Sequence, residues 1–246
     1  MTQSSEADSE DPFLPMNTPR VFESVVAEIE RAIVMGRLGP GDRLPNERDL
    51  ASMMQVSRNS VREAMRVLEM FGAVETANGR GRLSGSTIAD GAGAGVRTTL
   101  RLHTLLNGVP LRDIVEMRVL IESQAAHKAA SSATLDDCER LLRMSSDWTT
   151  ARSAEEANEL DTAFHAELAR VAGNALAPAM VEGLREAMVR DLLQGFERLA
   201  DWRTEFARSS AEHVEIVSLI RAGEAEKASE AMRLHCTRLF EVMNQE

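Results

Sequence analysis

The amino-acid sequence predicts a mainly α-helical chain of two domains. The first carries one small β-hairpin, and the second is an all-helical antiparallel bundle of six or seven helices. Three observations carry this expectation. Apolar residues recur at helical spacing almost everywhere after Pro19. One Asn-Gly pair, Asn78-Gly79, stands between two short strand-like runs, where it favours the turn whose twist matches paired strands. Residues 84–95 are rich in Gly, Ser and Ala with a single acidic residue, the composition of a linker. The expected division is a disordered tail over 1–17, a first domain over 18–84, a linker over 85–96 and a helical domain over 97–246.

In chain order, Val21/Phe22, Val25/Val26, Ile29 and Ile33 form one face of a first helix that Gly36 ends. Pro40-Gly41 makes a turn. Asn46 caps a short second helix, with Asp49 in the acceptor position of a capping box. Gln55-Val56 is a tight break, and Ser57 caps a third helix over 58–71 that points Val61, Met65 and Leu68 inward. Gly72 stops it. Strands over 74–77 and 80–83 then close a hairpin. Beyond the linker, helical patterns run over 98–106, 111–130, 135–149, 154–171, 175–199, 203–222 and 224–244, broken at Gly108-Val109-Pro110, Gly173-Asn174 and Gly223.

Bulk properties narrow the function classes. The 246 residues carry 43% hydrophobic and 27% charged side chains, the composition of a globular chain with room for one small and one larger core. No apolar run approaches the roughly 18 residues of a membrane span, so no membrane partner is expected. The first fifteen residues are acidic and polar, unlike a signal peptide. Two isolated cysteines, Cys138 and Cys236, fit a reduced cytoplasmic compartment. No phosphate loop or dinucleotide fingerprint is present.

Net charge is −11, but its distribution is uneven. Residues 1–36 hold 2 basic and 7 acidic side chains, and residues 83–246 hold 18 and 26. Residues 37–82 hold 8 arginines against 6 acidic groups and form the only net-positive stretch. Phosphate binding depends on where arginines project, and an acidic remainder suppresses non-specific association.

That basic stretch contains two short helices joined by a tight turn, followed by a hairpin: a winged helix-turn-helix. Its second helix can enter a major groove, and the hairpin can reach the neighbouring minor groove or backbone. Ser57, Arg58, Asn59, Ser60 and Arg62 lie in the first turns of that helix. They offer a fork for guanine or phosphate, an amide suited to adenine, and hydroxyls for phosphate. Singly, each reads equally well as a solvated surface residue. Together, Pro40-Gly41-Asp42, Leu44-Pro45, Glu47-Arg48, Leu50-Ala51, Val56-Ser57-Arg58, Val61-Arg62-Glu63-Ala64 and Gly79-Arg80-Gly81 resemble the winged helix-turn-helix of the GntR family of bacterial regulators. The resemblance implies contacts to double-stranded DNA at Arg48, Ser57, Arg58, Asn59, Ser60 and Arg62, and at the wing tip around Gly79 and Arg80. Gln55 departs from the pattern, which usually has Gly there; a positive φ at Gln55 would cost a little.

In the helical domain, Asp161 and His165 share one helix face, while His213 and His235 are in phase with the apolar stripes of two later helices. Inward polar groups are costly unless partnered. A shared ion would satisfy all four, and imidazoles with a carboxylate suit zinc first, then nickel or manganese. A lone inward histidine is more often a hydrogen-bonded core residue than a ligand. The stretches EMRVLIESQAAHKAA, DTAFHAELARVAGN and EHVEIVSLIRAGEAEKASEAMRLH resemble the FCD ligand-binding domain of the FadR subfamily. Metal-containing members hold their ion with an Asp-x-x-x-His pair and two later histidines, which implies Asp161, His165, His213 and His235 here. Arg118 lies beside the Ile114, Met117 and Ile121 stripe, where it can meet a carboxylate effector or pair with Glu122 on the surface.

The expected function is a ligand-responsive regulator, a repressor in the usual mode of the family. As a homodimer it would bind a palindromic operator and sense a small organic acid in a metal-containing pocket. A direct metal-ion sensor is the second reading. A metalloenzyme is the third, without any recognisable set of catalytic groups.

Overall fold

The computed structural model describes residues 20–77, 85–89, 93–198 and 201–243. The chain divides into two units: residues up to Glu69 together with Val74–Ile88, and Met70–Ala73 together with the chain from Ala89 onward.

The first unit holds α1 (Val21–Val34), α2 (Glu47–Met54), α3 (Arg58–Met70) and strands β1 (Val74–Ala77) and β2 (Gly85–Ile88). Its core is the inward stripe of each helix: Val25 and Ile29, Leu50 and Ala51, and Val61, Ala64, Met65 and Leu68. Each fully buried aliphatic side chain is worth about 1.5–3 kcal/mol. The side-chain oxygen of Asn46 accepts from the backbone N–H groups of Arg48 and Asp49 at 3.1 and 3.0 Å and starts α2. The Asp49 carboxylate accepts from the Asn46 amide at 2.6 Å, so it ties the cap through its side chain. Gln55 ends α2 in the left-handed region, at φ 56° and ψ 41°. It is the only non-glycine residue with positive φ among the described residues.

The hairpin differs from expectation. Val74 pairs with Ile88, Glu75 with Thr87, Thr76 with Ser86 and Ala77 with Gly85. The strand paired with β1 is therefore 85–88, within the segment expected as a linker. Asn78-Gly79 and the predicted strand 80–83 lie outside the described residues. The register follows burial: Val74 and Ile88 are both core residues, and a register slip would turn Ile88 to solvent. A segment before α2 joins this edge, with Ile88 N–H donating to the Asp42 carbonyl and Leu44 N–H to the Ser86 carbonyl, both at 2.9 Å.

The second unit holds seven helices among the described residues: α4 (Gly93–Leu106), α5 (Leu111–Ser132), α6 (Leu135–Met144), α7 (Ala154–Val171), α8 (Ala177–Arg198), α9 (Trp202–Arg221) and α10 (Ala225–Met243). The segment expected as a linker, 85–96, instead carries β2 and the first turn of α4. Its glycines masked both elements, because glycine weakens strand and helix signals alike. Helix α6 stops at Met144 rather than near 149. Ser145 and Ser146 turn their hydroxyls back onto the carbonyls of Leu142 and Arg143 at 2.8 and 2.9 Å, and a one-turn 3-10 helix follows over Asp147–Thr150.

Helix α5 occupies the centre, packed along α10 and against α7, α8 and α9; α8 packs along α4 and α7. Phe164, Leu168, Ile216 and Met232 anchor one apolar cluster, and Leu184, Met188, Leu192, Phe196 and Phe206 anchor another. No helix among the described residues is long and apolar enough to cross a membrane.

Candidate metal centre and nucleic-acid interface

In the first unit, α3 begins with Ser57 accepting from the Ser60 N–H at 3.1 Å, and the two hydroxyls lie 2.9 Å apart. Ser57, Arg58, Asn59 and Arg62 are exposed at this end of the helix, Ser60 is half-buried, and Arg48 is exposed on α2. Arg62 donates to the Asn59 amide oxygen at 3.0 Å and lies 3.7 Å from the Glu47 carboxylate. Those contacts hold its guanidinium over the helix N-terminus. Arg48 lies 3.3 Å from the Asp49 carboxylate. The result is an exposed, arginine-bearing helix start, the end of a helix whose dipole favours anions. Gly79 and Arg80 fall outside the described residues.

In the second unit, His165 on α7, His213 on α9 and His235 on α10 converge in the core, all three buried. Their ligand nitrogens all lie within 4.8 Å of one another, against the roughly 3.4 Å that separates two ligands with bonds of about 2.1 Å on a tetrahedral ion. Side-chain movement of about an ångström would close them on one ion. His213 Nε2 and His235 Nε2 are 3.2 Å apart. The Asp161 carboxylate completes the group, 3.7 Å from the Nε2 atoms of both His165 and His213. Phe164 stacks on the His213 ring at 4.0 Å between centroids and fixes its plane.

The opposite ring nitrogens are held by carboxylates. Glu212 lies 2.7 Å from His235 Nδ1. Glu122 lies 2.5 Å from His165 Nδ1, close in distance though not aligned as a hydrogen bond. His165 Nε2 is buried with no hydrogen-bond partner in the protein. This donor set fits a transition metal ion: a buried orphan nitrogen, two more imidazole nitrogens and a carboxylate, with outer carboxylates presetting the Nε2 faces.

Charge supports the same fit. Burial and the Arg185 charge push His165 down to about 4, and burial with His235 pushes His213 well below its ordinary value. Both rings are then neutral, the form that binds metal. Burial opposes ionisation of Asp161, but Arg185 and His213 hold it well below the usual carboxylate range. Burial likewise opposes Glu122, and Arg118 with His165 holds it low.

Arg118 is not on the surface. It is 1% exposed beside an equally buried Glu122, and donates through Nε to the Glu122 carboxylate at 2.7 Å. Its terminal nitrogens face Met188 Sδ at 3.3 Å and Cys236 Sγ at 3.9 Å. The i, i+4 pairing with Glu122 is present, but it is a core pair, and the whole fork of Arg118 has protein neighbours.

Four groups at this site escaped the sequence reading: Glu122 as a histidine partner, Arg185, Glu212 and Arg238. Arg185, on α8, donates through Nη2 to the Asp161 carboxylate and through Nε to Thr162 Oγ1 at 3.0 Å. It lies in phase with buried Val181, Leu184, Met188 and Leu192, and an arginine on such a stripe is the signal that could have found it. Arg238 donates to Glu205, to Ser209 at 3.1 Å and to Glu212 at 2.8 Å. It and Glu212 are polar residues beside a predicted ligand, a pattern too common to stand out. His103 is exposed and His127 half-buried, away from the cluster.

A winged helix-turn-helix joined to a helical domain with a buried ligand-type cluster defines a DNA-binding regulator with a sensory domain. Residues 22–83 match the bacterial regulatory proteins of the gntR family, and residues 113–238 match the FCD domain. The chain belongs to the GntR family of bacterial transcription regulators, in the form that carries an FCD domain, and is a regulator rather than an enzyme. It is 31% identical to RmpR of Mycobacterium gastri, described as an HTH-type transcriptional regulator, over 88% of this chain and 77% of that protein. The HTH-type transcriptional repressor NanR of Cronobacter sakazakii is 27% identical over 92% of this chain and 86% of its own length. The Glc operon transcriptional activator of Escherichia coli is 27% identical over 87% and 85%. A solved GntR structure from Streptococcus agalactiae, 24% identical, superposes with a TM-score of 0.56 over 91% of this chain and all of that one, and so shares the fold.

Proposed function

We propose that this regulator is a homodimeric, cytoplasmic repressor that senses a small organic acid at a metal ion held by Asp161, His165, His213 and His235. The observation that carries the reading is the buried convergence of three imidazole Nε2 faces on one carboxylate. Zinc is the first choice for three nitrogens and an oxygen, with nickel or manganese as alternatives. When bound, the ion would supply an electrostatic anchor for an acidic oxygen.

Charge balance supports an anionic effector. The buried groups beside the histidines are two guanidiniums (Arg118, Arg185) and two carboxylates (Glu122, Asp161), which balance formally. A divalent ion makes the group positive, and an anionic acid offsets that charge, which lowers the cost of burying it. In this reading Arg118 holds Glu122, and through it His165, in the ligand-ready orientation.

DNA would be met by Arg48, Ser57, Arg58, Asn59, Ser60 and Arg62, with Gly79 and Arg80 of the wing expected at the adjacent groove or backbone. Two copies suit a palindromic operator. Leu102, Leu105 and Leu106 on α4 and Met117 and Leu120 on α5 stand exposed, surface that a second copy can cover. The relatives include a named repressor and a named activator, so the sign is read directly. Deleting the gene should raise transcription from its own operator, and a fall would assign activation. Metal analysis of the protein as purified, followed by operator binding with and without candidate acids, tests the sensing. Absence of metal together with indifference to every carboxylate would overturn it.

A second reading, in which the ion itself is the signal, is favoured by one observation. The void beside Asp161, bounded by Asn158, Leu192, Phe206 and Ser209, holds only about 10 Å³, room for a single water. Chelation and zinc return would then switch DNA affinity reversibly with no acid present.

A further inference from the structure

Two arginines are buried beside the histidine cluster, and they differ in one respect. Arg118 spends its three nitrogens on Glu122, Met188 and Cys236. Arg185 spends Nε on Thr162 and Nη2 on Asp161, while its Nη1 is buried with no hydrogen-bond partner in the protein. A buried guanidinium nitrogen without a partner is costly, because nothing replaces the water it gave up. Its neighbour Nη2 is committed to Asp161, the one carboxylate facing two of the three imidazoles.

We infer that Arg185 is the effector's carboxylate anchor and, until an ion arrives, a placeholder cation for Asp161. This rests on the metal-and-acid reading above. A cation at the histidine cluster draws on the same Asp161 oxygens that Arg185 now neutralises, which loosens the hold of Nη2. Nη1 and Nη2 then form an uncommitted fork, the geometry that receives a carboxylate through two parallel N–H···O bonds. A carboxylate bound by Arg185 would lie beside an ion held by the histidines.

Open space lies against the partners of Arg185. A cleft of about 510 Å³ between α4, α7 and α8 is lined by Asn158 and by Thr162, the residue that receives Arg185 Nε. Asn158 also lines the small void beside Asp161, so the two spaces share a wall. A shift of that wall joins them. The consequence is reciprocal coupling: the ion raises affinity for a carboxylate, and a carboxylate raises affinity for the ion by the same factor.

The test uses the full chain and three probes: zinc alone, acetate and oxalate. Zinc affinity is read by competition with a chromophoric chelator, and carboxylate affinity by thermal shift of the zinc-loaded protein. In wild type, at least one carboxylate should stabilise the zinc form and have no effect on the metal-free form. Arg185→Gln should bind zinc as tightly as wild type or tighter, because a competitor for Asp161 is gone. Its carboxylate affinity should fall about ten- to a hundredfold, the worth of a charged, two-point hydrogen bond. Should Arg185→Gln not fold without metal, Arg185→Lys keeps a charge beside Asp161 and removes the fork. It should hold zinc within about threefold of wild type and lose carboxylate affinity by about tenfold.

Equal carboxylate responses in wild type and either variant overturn the assignment of Arg185 while leaving the metal site standing. So does a wild-type zinc form that ignores both carboxylates. Failure of wild type to bind zinc overturns the metal reading and this inference with it.

Discussion

His213 Nε2 and His235 Nε2 face each other at 3.2 Å, presented by two successive helices from opposite sides of one buried point. His235 Nδ1 lies 2.7 Å from the Glu212 carboxylate, which orients the ring and turns Nε2 toward His213. The pair is thus two imidazole nitrogens presented to the same point by α9 and α10.

Removing either ring should remove the site. His235→Ala is expected to weaken zinc binding by more than about a hundredfold, since each ligand contributes several kcal/mol of a total near 10–16. Chelator competition measures it, and wild-type affinity in the variant would exclude His235 as a ligand.

The supporting carboxylates carry a smaller and separable effect. Glu212→Gln should lower zinc affinity about ten- to a hundredfold, the usual cost of losing a histidine's outer partner. The fold should survive, because Arg238 keeps Glu205 and Ser209. Unchanged affinity would show that His235 needs no orienting partner.

The core pair Arg118–Glu122 makes a stability prediction. Arg118→Met leaves Glu122 as a buried, uncompensated charge and should cost about 3–5 kcal/mol by urea denaturation. The double variant Arg118→Met/Glu122→Leu should recover part of that loss. A double variant worse than the single one would assign Glu122 a role beyond pairing with Arg118, such as seating His165.

On the DNA side, Arg58→Ala and Arg62→Ala should each weaken binding to a selected operator fragment. Loss of a phosphate contact reduces the slope of log affinity against log salt by about 0.9; loss of a base contact relaxes sequence preference at one position and leaves the slope. A variant that changes neither would exclude that arginine from the interface.

Gln55 occupies a left-handed cap at φ 56°. Gln55→Gly should raise stability by up to about 1 kcal/mol, the strain removed less the added freedom of the unfolded chain. Thermal denaturation of the DNA-binding unit within the full chain reads it, and a loss of stability would mean that the Gln55 side chain contributes more than its backbone costs.

Local pattern made much of this legible beforehand. Most helix spans, the Asn46 and Ser57 caps, the inward stripe of α3 and the inward phase of each of the three histidines follow from residues within a few positions of one another. The second wing strand was hidden because Gly85 and Ser86 look like linker. Only the pairing of Ile88 with Val74, fourteen residues away, makes 85–88 a strand.

Sequence alone therefore determined the two kinds of domain, the polarity of each helix and the identity of the inward-facing histidines, since helical periodicity and capping are short-range. Tertiary structure decided the partners. Arg185 meets Asp161 across 24 positions and Glu212 meets His235 across 23. Arg118, for which its neighbours leave a surface pair and an inward position equally open, is buried because α5 packs against α7, α8, α9 and α10. Which helix faces meet is a global outcome of burying apolar area. For that reason the ligand-type histidines were visible in the sequence, and the carboxylates and arginine around them were not.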